Sequence, residues 1–198
     1  MKKIVIDLII INSCNKKCEY CPIHFNKWKL TKQQVDYIID YLYKNSLFYE
    51  ECTINFFGWE PLLNFDIIKY FINKNKNNKI KYTIWTNWFL LTEEIINFLL
   101  KYNINIYLTF HADDTKSYLK LLEKEFLKKA LNIIQINFIV SPNNLDFCYK
   151  KIDDVINFWF KVINIIPVML TIPWGKNDLI NLKKFINYVD SNYLNKID

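Results

Sequence analysis

Cys14, Cys18 and Cys21 stand within eight residues of one another in a C-x3-C-x2-C spacing. Thiolates are soft ligands, and three so close together can wrap one metal centre. The number is informative. A cubane iron–sulfur cluster normally takes four Cys, so three leave one iron open to an outside ligand, as catalytic metal sites keep one position free. The other two thiols do not supply the fourth. Cys52 opens an apolar run and Cys148 lies on the apolar stripe of a helical pattern, so both read as buried small hydrophobes. Two rival readings of the loop stay open. One is a Cys3His zinc site completed by His24, although structural zinc sites usually draw ligand pairs from separated segments. The other is a set of thiols that hold no metal.

Such a loop must be positioned by regular elements, and the sequence shows them. Apolar runs without alternation recur at residues 4–11, 53–57, 80–86, 104–110, 134–140 and 161–168. Continuous hydrophobicity predicts strands covered on both faces, the mark of a parallel sheet. Helical stripes lie between the runs. Thr31 and Gln34 form a capping box ahead of Val35, Ile38, Ile39 and Leu42. Thr92 with Glu93 and Glu94 begins a second helix, with acids at its positive end. Further stripes pass through Leu119, Leu122, Phe126 and Ala130, then Cys148, Ile152 and Val155, then Leu179, Leu182, Ile186 and Val189. The fold class is therefore α/β, with six strand–helix units that close partway into a barrel or open into a doubly wound sheet. An eight-unit barrel takes ~250 residues, more than the 198 here. In either arrangement chemistry belongs at the carboxyl ends of the strands, and the cysteine loop is the first such place. The polar stretch 73–79 reads as a turn, and residues 1–198 read as one domain.

Composition narrows the function. With 52% hydrophobic and 23% charged residues the chain can build one sizeable core and is no disordered tail. The 26 basic against 20 acidic residues leave +6, spread along helices as solvated faces rather than gathered into a nucleic-acid footprint. No apolar run reaches the ~18 residues a membrane helix needs. Met1-Lys2-Lys3 followed by an apolar run imitates an export signal, but Asp7 interrupts it and no small-residue cleavage site follows, so it reads as a buried first strand. Five cysteines without an export signal point to a reducing compartment, the cytoplasm.

The motifs resemble those of the radical S-adenosylmethionine (SAM) enzyme family, whose signature is a C-x3-C-x-aromatic-C loop after the first strand. Tyr20 fills the aromatic position. Phe57-Gly58-Trp59-Glu60-Pro61-Leu62-Leu63-Asn64 resembles the family's Gly-Gly-Glu-Pro-Leu-Leu segment, and Thr86-Asn87-Trp88-Phe89-Leu90-Leu91 its Thr-Asn-Gly-x-Leu-Leu segment. The three appear in the family's order, each at a strand's carboxyl end. The resemblance implies a compact catalytic core, a partial (β/α)6 TIM-like barrel of parallel strands. It implies that Cys14, Cys18 and Cys21 ligate three irons of a [4Fe–4S] cluster while SAM takes the fourth. It places the segment Gly58, Trp59, Glu60 and Pro61 at the SAM amine and Tyr20 near the adenine. Thr86, Asn87 and Thr109 join the cofactor-binding set. The implied activity is reductive cleavage of SAM to methionine and a 5′-deoxyadenosyl radical that abstracts hydrogen from a substrate, the work of an oxidoreductase or maturase. His111 stands where relatives often carry Asp and is the candidate catalytic residue, able to donate a hydrogen bond or shuttle a proton. It reads equally well as a structural histidine. Asp113 and Asp114 read as a helix N-cap and a first-turn acid.

The implied electron donor is a reduced flavodoxin or ferredoxin. Residues 58–64 and 86–91 look most like the branch that modifies peptides or proteins. Without further cysteines after Cys148, no auxiliary cluster is expected, and a small-molecule substrate stays open. The rival functions are a non-catalytic module holding zinc or an iron–sulfur cluster, and an inactive relative; a basic RNA-binding fold lacks an aromatic recognition motif.

Glycine usage is anomalous. Average usage of ~7% predicts about 14 glycines, whereas the chain has two, beside six Trp. Trp59 and Trp88 fall on family glycines, where the backbone approaches a ligand or turns sharply. Trp28, Trp85, Trp159 and Trp174 also sit where turn chemistry favours Gly. The expectation is that UGA codons, read as glycine in the source organism, appear here as Trp. If Trp59 is genuine, its indole competes for the space of the SAM methionine moiety.

Overall fold

The computed structural model describes residues 2–21, 28–45, 47–111, 124–158, 160–169 and 171–194. The strands are β1 (Lys3–Ile9), β2 (Glu51–Phe57), β3 (Ile80–Thr86), β4 (Asn105–His111), β5 (Ile134–Val140) and β6 (Ile163–Pro167). Between them come helices α1 (Lys32–Lys44), α2 (Phe65–Lys74), α3 (Glu93–Lys101), α4 (Glu125–Lys128) and α5 (Leu145–Asn157), and α6 (Lys176–Val189) follows β6. The sheet order runs β1-β2-β3-β4-β5-β6. A doubly wound sheet reverses its order at a switch point; this one does not, and the fold class is the α/β partial TIM-like barrel. The chain divides into two compact units, Met1–Lys17 with Ile23–Leu108 and Cys18–Pro22 with Thr109–Asp198.

In the first unit the parallel register pairs Lys3 with Glu51 through Ile9 with Phe57, Cys52 with Ile80 through Phe56 with Ile84, and Thr83 with Asn105 through Thr86 with Leu108. One sheet face carries Cys52, Ile54, Phe56 and Ile84, all buried, beside the buried stripes Val35–Ile39–Leu42 of α1 and Ile67–Ile68–Phe71–Ile72 of α2. Each such side chain contributes roughly 1.5–3 kcal/mol on burial. Thr31 caps α1 as the sequence predicts: its hydroxyl accepts from Gln34 N–H, and the Gln34 side chain accepts from Thr31 N–H. Thr92 likewise accepts from Ile95 N–H at the start of α3.

The opposite sheet face departs from the expectation of strands covered on both sides. Asn55 Nδ2 donates to Asp7 Oδ1 (2.7 Å), and the Thr83 hydroxyl donates to Asn55. Two residues further along each strand lies an aromatic row, Phe57 edge-on to Trp85 and Trp85 stacked on Tyr107 at 4.7 Å. Strand β1 is not buried: exposed and half-buried residues alternate along it, and only the following Ile10 and Ile11 are buried. The apolar run marked the strand correctly, but it sits at the sheet edge, where one neighbour is missing.

In the second unit β5 pairs with β6, Ile136 with Ile163 through Val140 with Pro167. Cys148, Ile152 and Val155 of α5 are buried as expected. On α6 the buried set is Leu182, Phe185 and Val189, while Leu179 and Ile186 are exposed. The large ring decides the rotation: Phe185 stacks near Phe138 and meets Tyr149 edge-on. Ala130 is buried with Leu127 of α4; Leu119, Leu122, Asp113 and Asp114 lie outside the described residues.

Candidate active site

The carboxyl end of β2 runs against the loop that follows β1. Gly58 has φ +123°, and a Cβ there would stand 2.6 Å from the Ile11 carbonyl oxygen, so only glycine fits. The next two amides stitch the segments together: Trp59 N–H donates to Ile11 O (3.4 Å) and Glu60 N–H to Ser13 O (3.1 Å), one residue before Cys14. Asn64 Nδ2 adds bonds to Ile10 O and Leu30 O. Pro61 is buried at the first position of a 3-10 turn, Pro61–Asn64, that Glu60 caps by accepting from Leu62 N–H.

Glu60 is fully buried. Its Oε1 accepts from the Thr86 hydroxyl (2.8 Å) and Leu62 N–H (3.1 Å), and its Oε2 accepts from Asn87 N–H (2.8 Å). Burial pushes its carboxyl up to about 7, against the pull of these donors. The carboxyl thus ties the second motif to the third. Thr86 accepts in turn from Trp88 N–H. Asn87, so held, donates through Nδ2 to Asn15 Oδ1 (2.7 Å) and lies 3.5 Å from Cys14 Sγ, which also accepts from Lys16 N–H at 3.3 Å. Two N–H groups are thus aimed at one sulfur.

Trp88 has φ +66°, the left-handed region that glycine occupies freely and a bulky side chain enters at about 1–2 kcal/mol. Its ring is buried and stacks on Phe89 at 4.2 Å. Trp59 Nε1 is buried without a hydrogen-bond partner. Among the described residues Trp88 is the sole tryptophan with positive φ. Trp85 lies within β3 and not in a turn, so turn chemistry does not ask for glycine there. Trp28 is 40% exposed and Trp174 donates through Nε1 to Val168 O; Trp159 lies outside the described residues.

In the second unit Cys21 N–H donates to Cys18 O, closing a tight turn. Tyr20 O accepts from the Thr171 hydroxyl (2.7 Å), and Glu19 accepts from Asn143 Nδ2. The Tyr20 hydroxyl stands 2.9 Å from Nε2 and 3.1 Å from Nδ1 of His111. The two rings stack at 5.3 Å with 22° between planes, and Cys18 Sγ is 3.9 Å from His111 Nε2. Thr109 is half-buried near the end of β4.

The donor set has the right chemistry for an iron–sulfur cluster. Cys14, Cys18 and Cys21 are half-buried, whereas Cys52 and Cys148 are buried. Burial raises the Cys52 thiol, and Cys148 Sγ bonds to Asn144 O within its own helix turn. Among the described residues no group of three His, Cys, Asp or Glu side chains converges on a single metal ion; His24 lies outside them. Sequence reasoning missed Asn15, Asn64, Ser13 and Thr171, because a lone Asn, Ser or Thr in a loop carries no periodic or spacing signal.

The family model of the Radical SAM superfamily matches residues 8–138. The Radical SAM cyclopropyl synthase TigE of Paramaledivibacter caminithermalis is 30% identical over 180 residues, covering 75% of this chain and 38% of that protein. The uncharacterized protein MJ0907 of Methanocaldococcus jannaschii is 27% identical over 186 residues, covering 83% and 62%. Among solved structures, native anSMEcpe with bound AdoMet superposes with TM-score 0.75 at 20% identity, covering 98% of this chain and 61% of that chain. The same protein with bound AdoMet and Cp18Cys peptide gives 0.70 at 22% identity, with 98% and 62% covered. The chain thus spans between 38% and 62% of the lengths of these relatives.

Proposed function

The chain belongs to the radical SAM superfamily, whose cofactors are a [4Fe–4S] cluster and SAM, and on that premise we propose that it is a radical SAM oxidoreductase or maturase with the site described above. When bound, the cofactor pair supplies reductive cleavage of SAM to methionine and a 5′-deoxyadenosyl radical that abstracts hydrogen from the substrate. In this reading Cys14, Cys18 and Cys21 hold three irons and leave the fourth to the amino and carboxylate groups of SAM. The Gly58–Pro61 backbone receives the amine, Tyr20 lies by the adenine, and Thr109 offers a hydroxyl. Thr86 and Asn87 are held for the cofactor by Glu60, which binds both through hydrogen bonds of 2.8 Å. That buried carboxyl is the observation that carries the reading, since it fixes the second and third motif segments to each other and sets Asn87 beside Cys14.

Enzymes of the family need a reductant; here we take it to be a reduced flavodoxin or ferredoxin in the cytoplasm. The substrate is a peptide or a small molecule, and the likeness of residues 58–64 and 86–91 to the peptide-modifying branch favours the peptide. No helix among the described residues is long and apolar enough to cross a membrane. Residues 1–198 act together as the catalytic core.

Trp59 and Trp88 decide whether the motifs are intact. The positive φ of Trp88 and the unpartnered indole nitrogen of Trp59 both favour glycine in the cell, encoded by UGA. Coding DNA with UGG at both positions overturns this and leaves an inactive relative. The enzymatic reading is tested by anaerobic reconstitution with iron and sulfide, on the chain as written and on Trp59→Gly/Trp88→Gly. The expected result is a brown protein whose reduced cluster signal in electron paramagnetic resonance changes on adding SAM, more strongly in the double variant. A colourless protein that retains one zinc ion refutes it.

A further inference from the structure

We propose that His111 tunes the cluster through Cys18, by donating a hydrogen bond from Nε2–H to the Cys18 sulfur. The inference rests on the reading that Cys18 is a cluster ligand and goes beyond it by giving a role to a residue outside the cysteine loop. The geometry is a three-membered relay within one compact unit. Cys18 Sγ lies 3.9 Å from His111 Nε2, and the Tyr20 hydroxyl lies 3.1 Å from Nδ1 and 2.9 Å from Nε2. A phenol has one proton and a neutral imidazole has one N–H and one lone pair, so the two hydroxyl contacts are not both donations.

The sulfur decides between the tautomers. A metal-bound thiolate carries negative charge and only accepts. If Nε2 bore the lone pair, that lone pair would face the sulfur and repel it. With the proton on Nε2, that N–H donates to Cys18 Sγ at 3.9 Å while Nδ1 accepts from the Tyr20 hydroxyl at 3.1 Å, an arrangement that pairs each donor with an acceptor. Tyr20 and His111 stack within 22° of parallel, and Thr171 pins the Tyr20 carbonyl, so the ring is held from the loop side as well as by β4. Such a partner of a metal ligand fixes tautomer and orientation.

The consequence is electronic. A hydrogen bond to a cluster sulfur draws charge off it and stabilises the reduced, more negative state, which raises the reduction potential. In this arrangement His111 is a tuning residue that acts through Cys18.

The test is redox potentiometry of the reconstituted protein without SAM, followed by electron paramagnetic resonance, with iron and sulfide content measured alongside. His111→Leu is expected to keep a full cluster at a lower midpoint potential. His111→Gln, whose amide donates from a reach like that of Nε2, is expected to return the potential towards wild type. Tyr20→Phe keeps the imidazole but removes the hydroxyl that orients it, and is expected to shift the potential the same way by less. Full clusters of unchanged potential in His111→Leu overturn the inference and leave the functional reading standing. Should His111→Leu fail to take up a cluster, an unchanged potential in Tyr20→Phe overturns it instead. A wild type that assembles no cluster overturns the functional reading, and this inference with it.

Discussion

Glu60→Gln isolates the buried carboxyl that joins the second and third motif segments. The side chain keeps its shape but loses its titration. In the folded chain Glu60 retains its proton to about pH 7, whereas an exposed glutamate releases it near 4.5. The native state therefore binds more protons across that window, and stability falls as pH rises from about 4.5 to about 7, then levels off. At about 1.4 kcal/mol per pKa unit, a shift of this size makes roughly 3 kcal/mol between the two ends. The glutamine amide places an N–H₂ among donors from Thr86, Asn87 and Leu62. That mismatch costs about 1–3 kcal/mol at every pH. The assay is urea unfolding of the metal-free protein at pH 5, 6, 7 and 8 at fixed ionic strength. Relative to wild type, Glu60→Gln should be destabilised at pH 5 and should recover by roughly 3 kcal/mol towards pH 8. A difference between the two proteins that is flat with pH refutes the reasoning. That flat result would mean that the three donors outweigh burial and hold the carboxyl ionised, its titration then lying below the assayed range.

Gly58→Ala should destabilise by about 1–3 kcal/mol, because the backbone conformation resists any side chain and the new Cβ meets the Ile11 oxygen at 2.6 Å; a urea midpoint within error of wild type contradicts this. Thr31→Ala removes the hydroxyl that accepts from Gln34 N–H but keeps the backbone N–H bonded to the Gln34 side chain, and should lower stability by about 1 kcal/mol, with an unchanged midpoint as the opposing result. In the folded, metal-free protein, alkylation followed by mass spectrometry should label Cys14, Cys18 and Cys21 well ahead of the buried Cys52 and Cys148. Equal labelling of all five would count against the burial described here.

The strands were legible because each is a mostly apolar run without regular alternation, and helix starts at Thr31 and Thr92 because capping is a contact between residues three apart. The cysteine loop and the two later motif segments were legible as spacing and order. The same local signals misjudged β1, whose apolar run lies at a sheet edge, and α6, where Phe185 and not Ile186 turned inward. Hydrophobic content says that a segment is buried somewhere, and only the neighbours it meets say on which side.

The amino-acid order alone determined the parallel α/β class, the spacing of the three loop cysteines and the scarcity of glycine. Tertiary structure alone decided that Glu60 faces Thr86, 26 residues away, that position 88 turns left-handed, and that His111 reaches Cys18 across 93 residues. The physical reason is register. Parallel pairing sets strand ends side by side whatever their separation in sequence, and a hydrogen bond between two such ends leaves no trace in either segment's own pattern.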